Sequence, residues 1–138
     1  MILSRREAEV LDCVLDAVVA PAAGLPLPPR TDAVAAFDRM LARLPTRNRV
    51  ALRGLLWALE LGPLLERHPR RLSGLPAGRR AAYLQRLEAG RARRALQALF
   101  ALVKLAYYGD GGVMAALGYD PEPVVARGRA LRAAERRW

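Results

Sequence analysis

A chain of 138 residues, 53 % of them hydrophobic, has room for one domain with a modest core and is too apolar for intrinsic disorder. Its net charge of +10 comes from 22 Arg and one Lys against 13 acidic residues, and the absence of any run of about 18 uncharged apolar residues argues against a membrane-spanning helix. The single Cys13 excludes an internal disulfide, and the lone His68 has no nearby carboxylate or Cys with which to build a metal set.

The N-terminus reads MILSRREAEVLDCVLDAVV. Ser4 followed by Glu7 is a capping-box pattern that starts a first helix near Arg5, running to Ala20 before Pro21. Ala8, Leu11, Leu15 and Val18 form its buried stripe, with Val14 and Val19 beside it. Glu7, Glu9, Asp12 and Asp16 are wrong for the apolar core of a secretory signal, including the twin-arginine kind that Arg5-Arg6 would otherwise suggest, so a cytoplasmic protein is predicted. Residues 21–30, PAAGLPLPPR, form an irregular connector because their four prolines remove backbone donors.

Thr31 or Asp32 caps a second helix with Val34, Phe37, Leu41 and Leu44 inward, ended by Pro45. A third helix, capped by Thr46, spans about 47–61 and stops at Gly62-Pro63. It has two apolar faces: Leu52, Leu55, Leu56 and Leu59 on one, and Val50, Trp57 and Leu61 with Gly54 on the other. Residues 63–75 read as a loop. Pro76 opens a fourth helix with Tyr83, Leu84 and Leu87 inward, and Gly90 breaks it before a fifth, about 91–108.

The fifth helix is apolar nearly all round. Leu96, Leu99, Phe100, Val103 and Tyr107 share one face, while Ala98, Ala101, Leu102 and Leu105 occupy the other. Such a helix is expected in the middle of the fold or partly under another protein. After Tyr107-Tyr108-Gly109-Asp110 the chain makes a short helix, Val113 to Leu117, closed by Gly118 and anchored by Tyr119, then a basic terminal helix. The pattern predicts an all-α domain over 1–120 with a tail at 121–138, about five to seven helices in all, with 47–61 and 91–108 central.

No nucleophile, acid or base pairing suggests catalysis, so no catalytic, cofactor-binding or metal-ligating residue is assigned. Cys13 reads as a structural thiol, His68 as a solvated loop residue, and Asp110 as a turn and cap residue, because its glycines match neither a P-loop nor an EF-hand. The charge is unevenly placed: residues 1–66 are neutral, 67–94 carry +8, 95–120 carry −1 and 121–138 carry +3. Arg79, Arg80, Arg86, Arg91, Arg93 and Arg94 suit phosphate binding, and Tyr83 is near enough to stack. A basic helical nucleic-acid-binding protein is therefore the alternative reading, although no helix-turn-helix with a polar reading face is evident.

Four stretches carry a family resemblance. LSRREAEVLDCVLDAVVAP, FDRMLARLP, LSGLPAGRRAAYLQRLE and above all LVKLAYYGDGGVMAALGYD resemble, over about residues 3–120, the gluconate 2-dehydrogenase gamma (third, small) subunit family. The most specific part is aromatic-Tyr-Gly/Ser-Asp, a short helix, then Gly-Tyr, here Tyr107, Tyr108, Gly109, Asp110, Gly118 and Tyr119. The resemblance implies a helical, non-catalytic partner of a large FAD-dependent oxidoreductase of the glucose-methanol-choline type, which it matures, stabilises or assembles. FAD would belong to that partner, not to this chain. The twin-arginine leader of exported members is not seen here, which favours a cytoplasmic complex. The family often continues Gly-Tyr-Pro-Gly-Pro, where this chain has Gly118-Tyr119-Asp120-Pro121-Glu122-Pro123. Partner contact is expected from Trp57, Leu61, Tyr107, Tyr108, Asp110, Gly118 and Tyr119.

Overall fold

A computed structural model describes residues 2–19, 24–28 and 31–135. Among them are seven α-helices and no strand: α1 Arg5–Val18, α2 Ala33–Arg43, α3 Thr46–Leu65, α4 Ala77–Glu88, α5 Arg93–Tyr108, α6 Gly111–Ala116 and α7 Glu122–Glu135. The expected end of the first helix at Ala20-Pro21 and half of the connector lie outside the described residues.

Helix α1 begins at the predicted capping box. The Ser4 N–H donates to Glu7 at 2.7 Å, and the Glu7 N–H donates to the Ser4 hydroxyl at 3.3 Å. The Ile2 and Leu3 N–H groups both donate to one carboxylate oxygen of Asp38, at 2.8 and 2.7 Å, which ties the start of α1 to the middle of α2. Val10, Leu11, Val14 and Leu15 are buried, and α1 packs against α2, α3, α4, α5 and the 3-10 turn Leu72–Gly74. Each such side chain contributes about 1.5–3 kcal/mol through removal from water.

The centre of the fold is thus shared by α1 and α5, not by 47–61 and 91–108 as the apolar content suggested. Helix α5 packs on α1, α2, α4 and α6 with Leu96, Leu99, Phe100, Val103, Ala106 and Tyr107 buried. Its other face, with Ala98, Ala101 and Leu105, is exposed. Helix α3 lies to one side, resting on α1 and the 3-10 turn. Two apolar faces made it look central; only one of them is covered.

Helix α3 also runs past its expected end at 61 to Leu65, with Pro63 inside it and buried. Pro63 can sit there because its loss is one backbone donor, and the residues after it still close the helix: the Glu66 N–H reaches the Gly62 and Pro63 carbonyls and the His68 N–H reaches Pro63. Gly62 serves packing rather than termination. A Cβ at this position would stand 2.0 Å from the Tyr83 hydroxyl of α4. The later start of α5, at Arg93 rather than 91, follows from a turn in which the Arg93 N–H donates to Gly90. Helix α7 buries none of its residues.

Candidate interaction surface

Between Val50 and Leu65 the only charged residues are Arg53 and Glu60, and both are turned toward the body of the protein. Arg53 Nε donates to Glu7 at 2.8 Å, and Glu7 is almost fully buried. Glu60, completely buried, accepts from Arg6 at 2.6 Å, from the Ser73 hydroxyl at 2.8 Å and from the Ser73 N–H at 3.0 Å. Burial pushes the Glu7 carboxyl up, but the Arg53 guanidinium and the Ser4 backbone and hydroxyl donors outweigh it and hold the group below its usual range. Buried carboxylates must be paired: Glu60 of α3 finds its partners on α1 and the 3-10 turn, and Glu7 of α1 finds Arg53 of α3.

From Val50 onward the helix therefore turns both of its charges toward α1 and presents a row of apolar residues to solvent. Val50, Trp57, Leu61, Leu64 and Leu65 are all exposed, Trp57 by 40 % and Leu61 by 38 %. Beside this ridge a groove of about 580 Å³ separates α3 from α5. Its α3 side is formed by Ala51, Leu52, Gly54, Leu55 and Ala58, its α5 side by Ala95, Ala98 and Leu102, with Leu44 and Asn48 at the margin. No charged side chain lines it. The ridge and the groove together make this side of the protein its candidate interaction surface.

The seven residues expected to meet a partner fall into three situations. Trp57 and Leu61 lie one turn apart on the exposed ridge of α3. Tyr107 is in the core, with its hydroxyl donating to the Pro26 carbonyl at 2.6 Å, so it holds the connector onto α5 and presents nothing to a partner. Asp110 has a structural role as well: its carboxylate caps α6 by accepting from Gly112 and Val113 at 2.9 and 3.2 Å, and accepts from the Asp32 N–H at 2.9 Å. The Asp32 donor first, and then those of the cap, hold the Asp110 carboxyl below its usual range. Tyr108 is 43 % exposed and packs edge-on against Tyr107 with ring centroids 5.0 Å apart. Gly118 has φ +71°, a conformation that disfavours a side chain, and directs the chain toward Tyr119, whose N–H donates to Met114. Tyr119 is 52 % exposed and so does not anchor α6 by burial.

The basic segment is partly consumed within the fold. Arg80 pairs with Asp16 and donates to the Leu75 carbonyl, while Arg86 pairs with Glu66 and sits 5.5 Å from the centroid of the Tyr83 ring. Arg79, Arg91, Arg93 and Arg94 are exposed. Cys13 is half-buried, and its thiol is pushed up, by burial first, away from the reactive thiolate. No three His, Cys, Asp or Glu side chains among the described residues are grouped to hold a metal ion, and no described helix is long and apolar enough to cross a membrane.

Sequence reasoning found the two-faced character of α3 and α5 but missed the pairing that turns α3 inside out. The contacts join residues 46 and 54 positions apart, and the capping box had already given Glu7 a sufficient local role. Compared with protein-family models, curated proteins and solved structures, the chain matches none.

Proposed function

We propose that the chain is a non-catalytic small subunit that binds and stabilises or matures a large FAD-dependent oxidoreductase of the glucose-methanol-choline type, in a cytoplasmic complex. The observation that carries this reading is the outer face of α3 from Val50 onward, which is uncharged because Arg53 and Glu60 are spent on Glu7 and Arg6 of α1, leaving Val50, Trp57, Leu61, Leu64 and Leu65 toward solvent. The resemblance of the Tyr107 to Tyr119 ending to the gluconate 2-dehydrogenase gamma subunit family supplies the class of partner. Flavin and substrate belong to that partner in this reading.

Purification of the tagged chain from its native host at moderate salt tests it, with an absorbance spectrum and mass identification of what accompanies it. A stoichiometric yellow flavoprotein supports the reading; a chain that emerges alone, or with no flavin in its complex, overturns it. Trp57→Ala and Leu61→Ala are expected to weaken the association at least about tenfold while leaving the melting temperature within a few degrees, as befits exposed anchors. Equal loss of folding and binding would make both residues ordinary core.

The exposed Arg79, Arg91, Arg93 and Arg94 favour a second reading, nucleic-acid binding through the basic segment. Affinity for single- or double-stranded DNA or RNA that falls steeply between about 50 and 200 mM salt would support it.

A further inference from the structure

The groove between α3 and α5 has a shape, a polarity and a charge pattern that together specify its occupant. Both helices pack on α1 and not closely on each other, so the cleft is open along its length. From Asn48 to Ala58 it follows α3 for about 15 Å, or three helical turns. A concave cleft of about 580 Å³ is not filled by a flat bilayer surface, whereas a third helix fits between two others at the usual 8–10 Å axis separation.

The walls are apolar, but each begins with an arginine. Arg47 precedes Ala51 by one turn on α3, and Arg94 precedes Ala98 by one turn on α5, so each lies in line with its wall. Both are exposed, and neither takes part in an ion pair among the described residues. The first turns of α3 and α5 add the positive ends of their dipoles. A second copy of this chain is a poor occupant, because the chain carries +10 and its one helix free of burial, α7, has Arg127, Arg129 and Arg132 against Glu122 and Glu135.

We propose that the groove seats an amphipathic helix of the protein partner, apolar on the face that enters and bearing Asp or Glu where it meets Arg47 and Arg94. The partner's identity rests on the small-subunit reading above; the groove, the helix and its charge do not.

Two synthetic helical peptides serve as probes, identical in a Leu and Ala face of four turns and flanked by Glu in one and by Lys in the other. They are titrated into the full-length chain at low salt, with methyl NMR signals of Ala51, Ala58 and Ala98 as the readout. The Glu peptide is expected to bind at least about tenfold more tightly and to move those signals, and Arg47→Glu with Arg94→Glu is expected to reverse the preference. Gly54→Leu and Ala98→Trp fill the groove from its open side, since a Cβ at Gly54 meets no atom within 4 Å and Ala98 is exposed. Both variants should stay folded, Gly54→Leu melting a few degrees above the wild type through helix propensity, and both should lose the peptide at least about tenfold. Equal affinity for the two peptides, signals that move elsewhere, no binding at millimolar concentration, or undiminished binding by the filled variants overturns the proposal. So does a concentration-dependent dimer, or co-sedimentation with phosphatidylserine vesicles, that Ala98→Trp abolishes, because either assigns the groove to another occupant. A flavoprotein held equally by the wild type and the filled variants overturns the groove and leaves the small-subunit reading standing. Peptide discrimination without any flavoprotein partner does the reverse.

Discussion

Two side chains of the Tyr107–Asp110 corner show how a surface motif can serve the interior. The Tyr107 hydroxyl is the one polar group of a fully buried ring, and Pro26 offers it a carbonyl that has no helix to belong to. Tyr107→Phe leaves that carbonyl without its donor and is expected to cost about 1 kcal/mol in urea unfolding, with no change in the helical signal. Asp110 connects three backbone donors from two parts of the chain, and Asp110→Ala is expected to cost about 1–2 kcal/mol. Glu7 and Asp110 both have their carboxyl groups held below the unfolded value. The unfolded chain therefore binds more protons, and this contribution to stability is full above the ordinary carboxylate pKa of about 4 and is lost as pH falls through the lower folded values. Melting temperatures measured between pH 6 and pH 2 should fall in that acid range, and Asp110→Ala should flatten the fall. An unchanged slope in the variant would mean that Asp110 is not linked to folding.

At the scale of the element, α3 contains two glycines with opposite duties. Gly62 lies against Tyr83, so Gly62→Ala forces α3 and α4 apart even though alanine is the better helix former. It should destabilise by about 1–3 kcal/mol, and Tyr83→Phe in the same chain should restore part of the loss by removing the obstructing oxygen. Gly54 faces open space, and Gly54→Ala should stabilise by about 0.5–1 kcal/mol through helix propensity alone. Thermal melts of these variants check the contrast. The same helix shows what periodicity leaves undecided. Leu52, Leu55, Leu56 and Leu59 were legible as one apolar face but not as the covered one, and Arg53 and Glu60 point inward with Leu56 and Leu59 because Glu7, Arg6 and Ser73 wait there. A rule that sends charge outward places that side of the helix wrongly when partners exist on a neighbouring element.

For the whole molecule, the core of α1 through α6 is closed without α7. Truncation after Asp120 should therefore leave the unfolding midpoint unchanged within about 0.5 kcal/mol while lowering the net charge from +10 to +7, since residues 121–138 carry +3. A large loss of stability would show that α7 packs on the body in solution. The apolar ridge of α3 remains uncovered in either form, and sedimentation at high concentration should reveal weak self-association that Trp57→Ala reduces and Ala98→Trp, in the groove, leaves unchanged.

The sequence by itself determined the helical class, most helix starts and the surplus of apolar surface, because these depend on local chemistry: the Ser4–Glu7 box, the Asp110 cap, the spacing of Leu96, Leu99 and Val103, and the breaks at Pro45 and Gly90. It could not say that Gly62-Pro63 continues a helix, since that depends on the Tyr83 hydroxyl of another helix and on a buried position for the proline ring. Nor could it choose which face of α3 is covered. That choice belongs to tertiary structure, because two buried carboxylates must find Arg6, Arg53 and Ser73 across long sequence separations, and satisfying them turns the remaining apolar face of the helix to the outside.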